Sequence, residues 1–392
     1  MVRQDPLNGS SENNCVQPIY RGSTYFFKST EEVIQYQEEK VKLDRYGRYS
    51  NPNWASVEKR ICGMEHGEDT LIFSSGMNAI STTLIALLEF GDSIIFTENC
   101  YRNTRFFLSS VLAKMGIKAI PINSSNTSSD FIKSFESCYQ KFKSKAVFLE
   151  MPCNPHLYLI DLEKIEEIVD DETVIIVDST LASPHNFTPL DFGADIVVQS
   201  CTKYICGHGD AMAGSISGSQ DLVDRVRLYR NVMGGIADPH CASLLSRSLE
   251  TFSLRMEHYN RAGLEVAQYL ESSPHVKRVF YTGLDSHPHS DLARTYLTGH
   301  GGVISFELNA DFDSTAQFID CLKLPFMGSN FGVNVAMIEQ CSIFTYHQYS
   351  EAERQKLQIA DSLIRFSIGN EEAHSLIGDI QSALAKVFGV NP

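Results

Sequence analysis

Residues 195–210 read DIVVQSCTKYICGHGD, an apolar β-type run that gives way to a turn of small polar residues carrying one lysine, Lys203. A short β-branched run bounded by such a turn predicts a buried strand followed by a loop. A loop lysine is ordinarily solvated. One placed just past a buried strand and flanked by small hydroxyl residues is partly desolvated, which lowers its pKa and frees a nucleophilic amine. The meaning of Lys203 therefore rests on its neighbours.

Six further runs of the same kind lie upstream and downstream, at 70–74 (TLIFS), 93–97 (SIIFT), 118–122 (KAIPI), 146–150 (AVFLE), 173–178 (TVIIVD) and 212–217 (MAGSIS). Helical periodicity separates them, so the pattern predicts an α/β fold with a large, mostly parallel, seven-stranded sheet. Long helical patterns at about 220–270 then lead to strands near 277–281, 302–308 and 362–368, which read as a smaller C-terminal α/β domain. Residues 1–52 hold no sustained period and are expected to form an arm lying on something else. The resulting division is 1–52 for the arm, 53–245 for the large domain and 246–392 for the C-terminal domain. The segment SSNTSSD at 124–130 reads as a polar loop.

Composition narrows the partners. The chain has 392 residues, 43 % hydrophobic and 21 % charged, which is ordinary for a globular protein and excludes disordered, collagen-like and coiled-coil architectures. A formal net charge of −15 opposes binding to nucleic acid or an anionic membrane. The ten cysteines show no C-x-x-C spacing, so neither a zinc site nor a redox dithiol is expected, and a reducing cytoplasmic location fits best. No run approaches the roughly 20 apolar residues that span a bilayer. His287-Pro288-His289 is read as a surface turn and no metal is expected.

In open α/β sheets chemistry collects where strands end. Asp178 closes TVIIVD, where a carboxylate is costly unless paired with a cation such as a protonated pyridine nitrogen. Ser74-Ser75-Gly76-Met77 stands between a strand and a helical run, so its backbone N–H groups can hold a phosphate. An amine, a buried acid and a phosphate cradle together point to pyridoxal 5′-phosphate. No G-x-G-x-x-G follows the first strand and no G-x-x-x-x-G-K-[ST] occurs, so a nucleotide site lacks its fingerprint.

Nine ordered blocks then carry a resemblance: QPIYRGSTYFF (17–27), YGRYSNP (46–52), FSSGMNA (73–79), CYRNTR (100–105), EMPCNP (150–155), VDSTLASP (177–184), SCTKYICGHGD (200–210), GGVISFEL (301–308) and LIRFSIGNEE (363–372). The chain resembles the pyridoxal-phosphate enzymes of Cys/Met metabolism, the cystathionine γ-synthase and lyase family. The resemblance implies the type I, aspartate-aminotransferase-like fold. It implies that Lys203 forms the imine with the cofactor and shuttles protons, and that Asp178 pairs with the pyridine nitrogen. Gly76 and Met77 would bind the phosphate through their N–H groups, and Ser200 and Thr202 through their hydroxyls. Tyr101 would stack on the ring and assist proton transfer. Tyr46 and Arg48 would reach the phosphate of a neighbouring subunit, making a homo-oligomer, dimer or tetramer, with shared active sites. Arg365 would hold the substrate α-carboxylate, and Asn154 would contact the cofactor's phenolic oxygen and the substrate.

The reaction implied is γ-replacement on an activated homoserine derivative, in which cysteine or another nucleophile adds to a vinylglycine-type intermediate. The alternatives are γ- or β-elimination and, from a different class, a non-catalytic binding protein on the same fold. Arg105, at a helix start, reads either as a contact for an anionic leaving group or as a surface helix arginine. Val335 and Ala336 stand where synthases tend to show an acidic residue and a serine.

Overall fold

Runs such as Ile94-Ile95-Phe96 and Ile175-Ile176-Val177 are buried along their whole length, as strands covered by helices on both faces must be. The computed structural model describes residues 16–123 and 127–389. It places β1 (Asp69–Phe73), β2 (Ser93–Thr97), β3 (Lys118–Ile122), β4 (Ala146–Glu150), β5 (Val174–Asp178), β6 (Ile196–Gln199) and β7 (Gly214–Gly218) in one sheet of order β1-β7-β6-β5-β4-β2-β3. Pairing is parallel from β3 across to β6, and only β7 runs against its two neighbours. The carboxyl ends of β1, β2, β4, β5 and β6 therefore share one edge, and their following loops converge there.

Helices cover this sheet because the connections from β1 through β5 each carry one, and a further helix leads into β1. The helix that leads into β1, Pro52–Glu65, begins with proline in its first turn and with Asn51 capping the N–H of Asn53 at 2.9 Å. Trp54, the only tryptophan, is buried on it under the Arg230 guanidinium, 5.3 Å from the ring.

The C-terminal part holds a second sheet of β8 (Val276–Phe280), β9 (Val303–Leu308), β10 (Phe326–Met327), β11 (Met337–Gln340) and β12 (Leu363–Ser367), in the order β10-β11-β12-β9-β8. β12 runs antiparallel to both β11 and β9, which sets Glu339 opposite Arg365. One apolar cluster continues from Ile72 and Tyr204 of the large part through Tyr259 to Phe306 and Leu384, so the two sheets share a core.

Three local expectations are corrected. Residues 30–37 form a helix with no buried residue, whose signal is the Ser29 cap rather than apolar spacing. Of the stretch read as a polar loop, 124–126 lie outside the described residues and Ser128 starts the helix Ser128–Phe142, capped by Thr127. His287 and His289 do sit in a turn, but a buried one. The His287 Nε2 lies 3.2 Å from the carbonyl of His156, and the N–H of Leu159 donates to His289 Nδ1 at 2.9 Å. The strands β10 and β11 were not anticipated; the first has only two residues and the second has four, too few to show a period.

Candidate active site

Lys203 follows β6 in a tight turn, closed by Lys203 N–H to the Ser200 carbonyl at 3.0 Å and Gly207 N–H to the Lys203 carbonyl at 2.7 Å. Its Nζ donates to Asn330 Oδ1 and lies 5.0 Å from the centre of the Phe331 ring. Burial, reinforced by the Arg365 charge and opposed by Glu339, brings the amine down to about 8. A sizeable fraction is therefore neutral near physiological pH, which a nucleophilic amine requires.

Asp178 ends β5 and is buried. Its Oδ1 accepts from the Thr180 N–H at 3.1 Å and the Thr180 hydroxyl at 2.6 Å, which fixes the carboxyl plane. Burial raises its pKa, and the Thr180 hydrogen bonds counteract this only in part. A cationic ring nitrogen against it would relieve that cost.

The helix Gly76–Leu87 starts directly after β1. Ser75 caps it by accepting from the N–H of Asn78 at 3.1 Å, which leaves the N–H groups of Gly76 and Met77 at the open helix end for an anion. Gly76 has no Cβ because one would stand 2.9 Å from Ser200 Cβ, and that closeness brings the Ser200 turn onto the helix start. Behind it, a Cβ on Gly214 would fall 2.3 Å from the Ser75 carbonyl oxygen, so β7 presses the cradle from below. The Thr202 hydroxyl donates to the Ala213 carbonyl and accepts from the Ala213 N–H, both at 3.1 Å, and in this rotamer it ties the lysine turn to the strand behind.

Arg365, on β12, is buried and spans the two parts of the chain. Nη1 donates to Asn154 Oδ1 at 3.0 Å, and Nη2 stands 3.0 Å from Glu339 Oε1. The second contact is an ion pair without hydrogen-bond alignment, so Nη2 remains a buried donor that a carboxylate ligand could take. Thr345 Oγ1, 3.0 Å from each oxygen of Glu339, holds that carboxylate in place.

Tyr101 follows β2 and is partly exposed; its N–H donates to Glu150 Oε2 at 2.6 Å, and its hydroxyl accepts from Asn103 Nδ2 at 3.2 Å. Arg105 lies one helical turn on. It faces Glu98 at 3.7 Å and the Tyr349 ring at 5.3 Å, and it shares Glu98 with Lys356, whose Nζ is 2.6 Å away. The result is a cationic pair around one buried carboxylate. Tyr46 and Arg48 stand elsewhere: the Arg48 guanidinium donates to the Asn231 carbonyl and lies over the Tyr46 and Tyr49 rings.

Three residues in this cleft were not singled out from sequence: Asn330, Glu339 and Glu150. Glu150 closes AVFLE as Asp178 closes TVIIVD, and Glu339 is an acid inside the apolar run MIEQC, so both carried the signal of a buried charge. Asn330, in a polar turn, carried none. Cys206, His208 and Asp210 also bring potential metal ligands within 4.8 Å of one another. Each is otherwise engaged. The Cys206 thiol donates to Asp210, Asp210 pairs with Arg247, and His208 Nδ1 faces the Cys206 carbonyl and the Ser248 hydroxyl.

The cleft fits pyridoxal 5′-phosphate on its own chemistry. It offers an amine of lowered pKa for the aldehyde, a buried acid for the ring nitrogen and an open helix start for the phosphate. Comparison with known proteins agrees. The chain is 39 % identical over 371 residues to cystathionine gamma-synthase 1 of Arabidopsis thaliana, with 94 % of this chain matched, and it spans 65 % of that protein's length. It is 33 % identical to L-methionine gamma-lyase of Fusobacterium nucleatum, covering 94 % of this chain and 93 % of the other. A Campylobacter jejuni structure described as an O-acetylhomoserine (thiol)-lyase, solved with N′-pyridoxyl-lysine-5′-monophosphate, superposes with a TM-score of 0.90 at 27 % identity, over 97 % of this chain and 98 % of the other. Residues 1–385 match the model of the family described as Cys/Met metabolism PLP-dependent enzyme. The chain belongs to that family, with the type I fold and pyridoxal 5′-phosphate as its cofactor.

Proposed function

We propose that this protein catalyses γ-replacement on an activated homoserine derivative, with cysteine or another nucleophile taking the place of the leaving group. The observation that carries the reading is the buried Arg365 guanidinium held between Asn154 and Glu339, whose charge is felt at Lys203. It is a grip for an amino-acid carboxylate beside an amine of lowered pKa. The synthase relatives at 38–39 % identity support the choice of reaction.

Lys203, Asp178, Gly76, Met77, Ser200 and Thr202 would hold the cofactor. When bound, pyridoxal phosphate supplies an electron sink that makes the substrate Cα–H bond acidic. The chain supplies the rest. Arg365 and Asn154 fix the α-carboxylate, which orients Cα–H toward Lys203. Nζ of Lys203 would accept the proton from Cα, hand it on, and, neutral again, accept one from Cβ as the γ-substituent departs. Asn330 Oδ1 and the Phe331 face keep that Nζ inside the cleft while it is free. Tyr101 would close over the ring. Arg105 and Lys356, both set against the carboxylate of Glu98, would face an anionic leaving group.

Elimination is the second reading. Glu339 and Glu150, two carboxylates of the cleft, are already taken up by Arg365 and Thr345 and by Tyr101 and Asn154, so neither waits for the amino group of an incoming cysteine. Incubation with O-acyl- or O-phosphohomoserine, with and without cysteine, separates the two. A thioether formed only with cysteine is the expected result; 2-oxobutanoate and ammonia at the same rate in both tubes would overturn it.

The same reading makes the working unit a homo-oligomer, dimer or tetramer, in which Tyr46 and Arg48 reach a neighbouring copy's phosphate and complete its site. It places the protein in the cytoplasm. Among the described residues no helix is long and apolar enough to cross a membrane.

A further inference from the structure

Glu150 is the last residue of β4 and is buried, with Asp178 directly opposite it on β5. Burial, and then the facing Asp178, raise the Glu150 carboxyl to about 8, so the position carries a standing cost. A glutamine of nearly the same shape would avoid that cost, and what the carboxylate does in return is visible in its contacts. Oε2 accepts from the Tyr101 N–H at 2.6 Å, and Oε1 accepts from the Asn154 N–H at 2.9 Å. An amide has one acceptor oxygen, and its nitrogen would face an N–H donor, so only a carboxyl group, with an oxygen at each position, satisfies both. The Glu150 backbone is itself fixed, its N–H donating to Thr97 Oγ1 at 3.2 Å. The two loops it joins start from different strands and carry different tasks. One bears Tyr101, and the other bears Asn154, which passes to Arg365 at 3.0 Å.

We propose that Glu150 is a positioning residue that sets, with one carboxylate, the separation between Tyr101 over the cofactor ring and the Asn154–Arg365 grip on the substrate carboxylate. The inference rests on the roles given above to Tyr101, Asn154 and Arg365, but not on the choice between replacement and elimination.

The test uses the full-length protein loaded with pyridoxal 5′-phosphate and glycine as ligand, an amino acid with no leaving group. In Glu150→Gln, cofactor remains bound while its visible circular dichroism changes and the glycine concentration that half-saturates the spectral shift rises about tenfold, as one misdirected buried hydrogen bond implies. Glu150→Asp keeps the charge but is one methylene short of spanning both N–H groups, and gives the same loss. An unchanged dichroism and glycine saturation in Glu150→Gln overturns the proposal. So does full rescue by Glu150→Asp, which would make charge rather than reach the active property. Should neither variant fold, hydrogen exchange in the wild type decides: the amides of Tyr101 and Asn154 are protected, and exchange at unprotected rates refutes the linkage. A failed product assay with activated homoserine leaves these readings intact, so the two failures are told apart.

Discussion

Removing Arg365 should separate stability from binding. In Arg365→Ala, Glu339 loses its partner at 3.0 Å while remaining buried on β11. Breaking a buried ion pair from one side costs about 3–5 kcal/mol, because the surviving charge is left uncompensated. The same change removes the guanidinium donors offered to a substrate carboxylate. At about 3 kcal/mol for a charge-assisted pair of hydrogen bonds, that is on the order of a hundredfold in half-saturation. A second change, Glu339→Gln, removes the stranded charge. The double variant should therefore recover most of the lost stability in urea unfolding of the holoenzyme, while glycine saturation stays as poor as in Arg365→Ala. If the double variant is no more stable than the single one, Glu339 is not the stranded partner. If it binds glycine as the wild type does, Arg365 is not the grip.

Three further outcomes can be checked. Capture of pyridoxal phosphate by the apoprotein needs the neutral form of Lys203, so its rate should climb as pH passes about 8 and level off above it; a flat rate across that range would contradict the lowered amine. Burial holds His156 and His287 down at about 4, below their value in an unfolded chain. As pH falls from the unfolded value toward about 4, unfolding then takes up close to two protons and stability drops by about 3 kcal/mol per pH unit from this pair. Glu65, raised to about 8 by burial, acts in the opposite sense, because the native state keeps a proton that the unfolded chain has lost. The measurement is therefore the difference in slope between wild type and His156→Gln/His287→Gln, and equal slopes would refute it. In Gly214→Ala the new Cβ meets the Ser75 carbonyl at 2.3 Å. Overpacking of about 1–3 kcal/mol at the cradle should weaken phosphate retention by roughly fivefold or more in equilibrium dialysis, and an unchanged affinity would place the cradle elsewhere.

The seven strands of the large sheet were legible because each is a compact β-branched run bounded by turn residues, as in SIIFT or TVIIVD. Lys203 and Asp178 were legible for a related reason: charge at the end of such a run needs explaining. The shorter C-terminal strands were not, since β11 owes its form to pairing with β12 across more than twenty residues, and β10 in turn to pairing with β11. The same long-range pairing hid Glu339 and the contacts that tie the grip together. Arg365 and Glu339 face each other only through strand register, and Asn154 reaches Arg365 across 211 positions. The burial of His287 and His289 was also hidden, because local sequence shows a turn but not the loop of His156 and Leu159 that covers it.

The order in which the chain leaves the ribosome gives the Arg365 contact another significance. Lys203, Asp178 and the Gly76 helix start all emerge while β12 is still being made. A nascent chain at that stage already presents its reactive amine, yet nothing selects which aldehyde or amino acid comes near. Selectivity arrives only when the antiparallel strand bearing Arg365 slots between β9 and β11. Because β12 also carries Ile364 and Phe366 into the core shared with Tyr204, the same strand that brings selectivity closes the packing behind the lysine turn, and a chain cut before it lacks both.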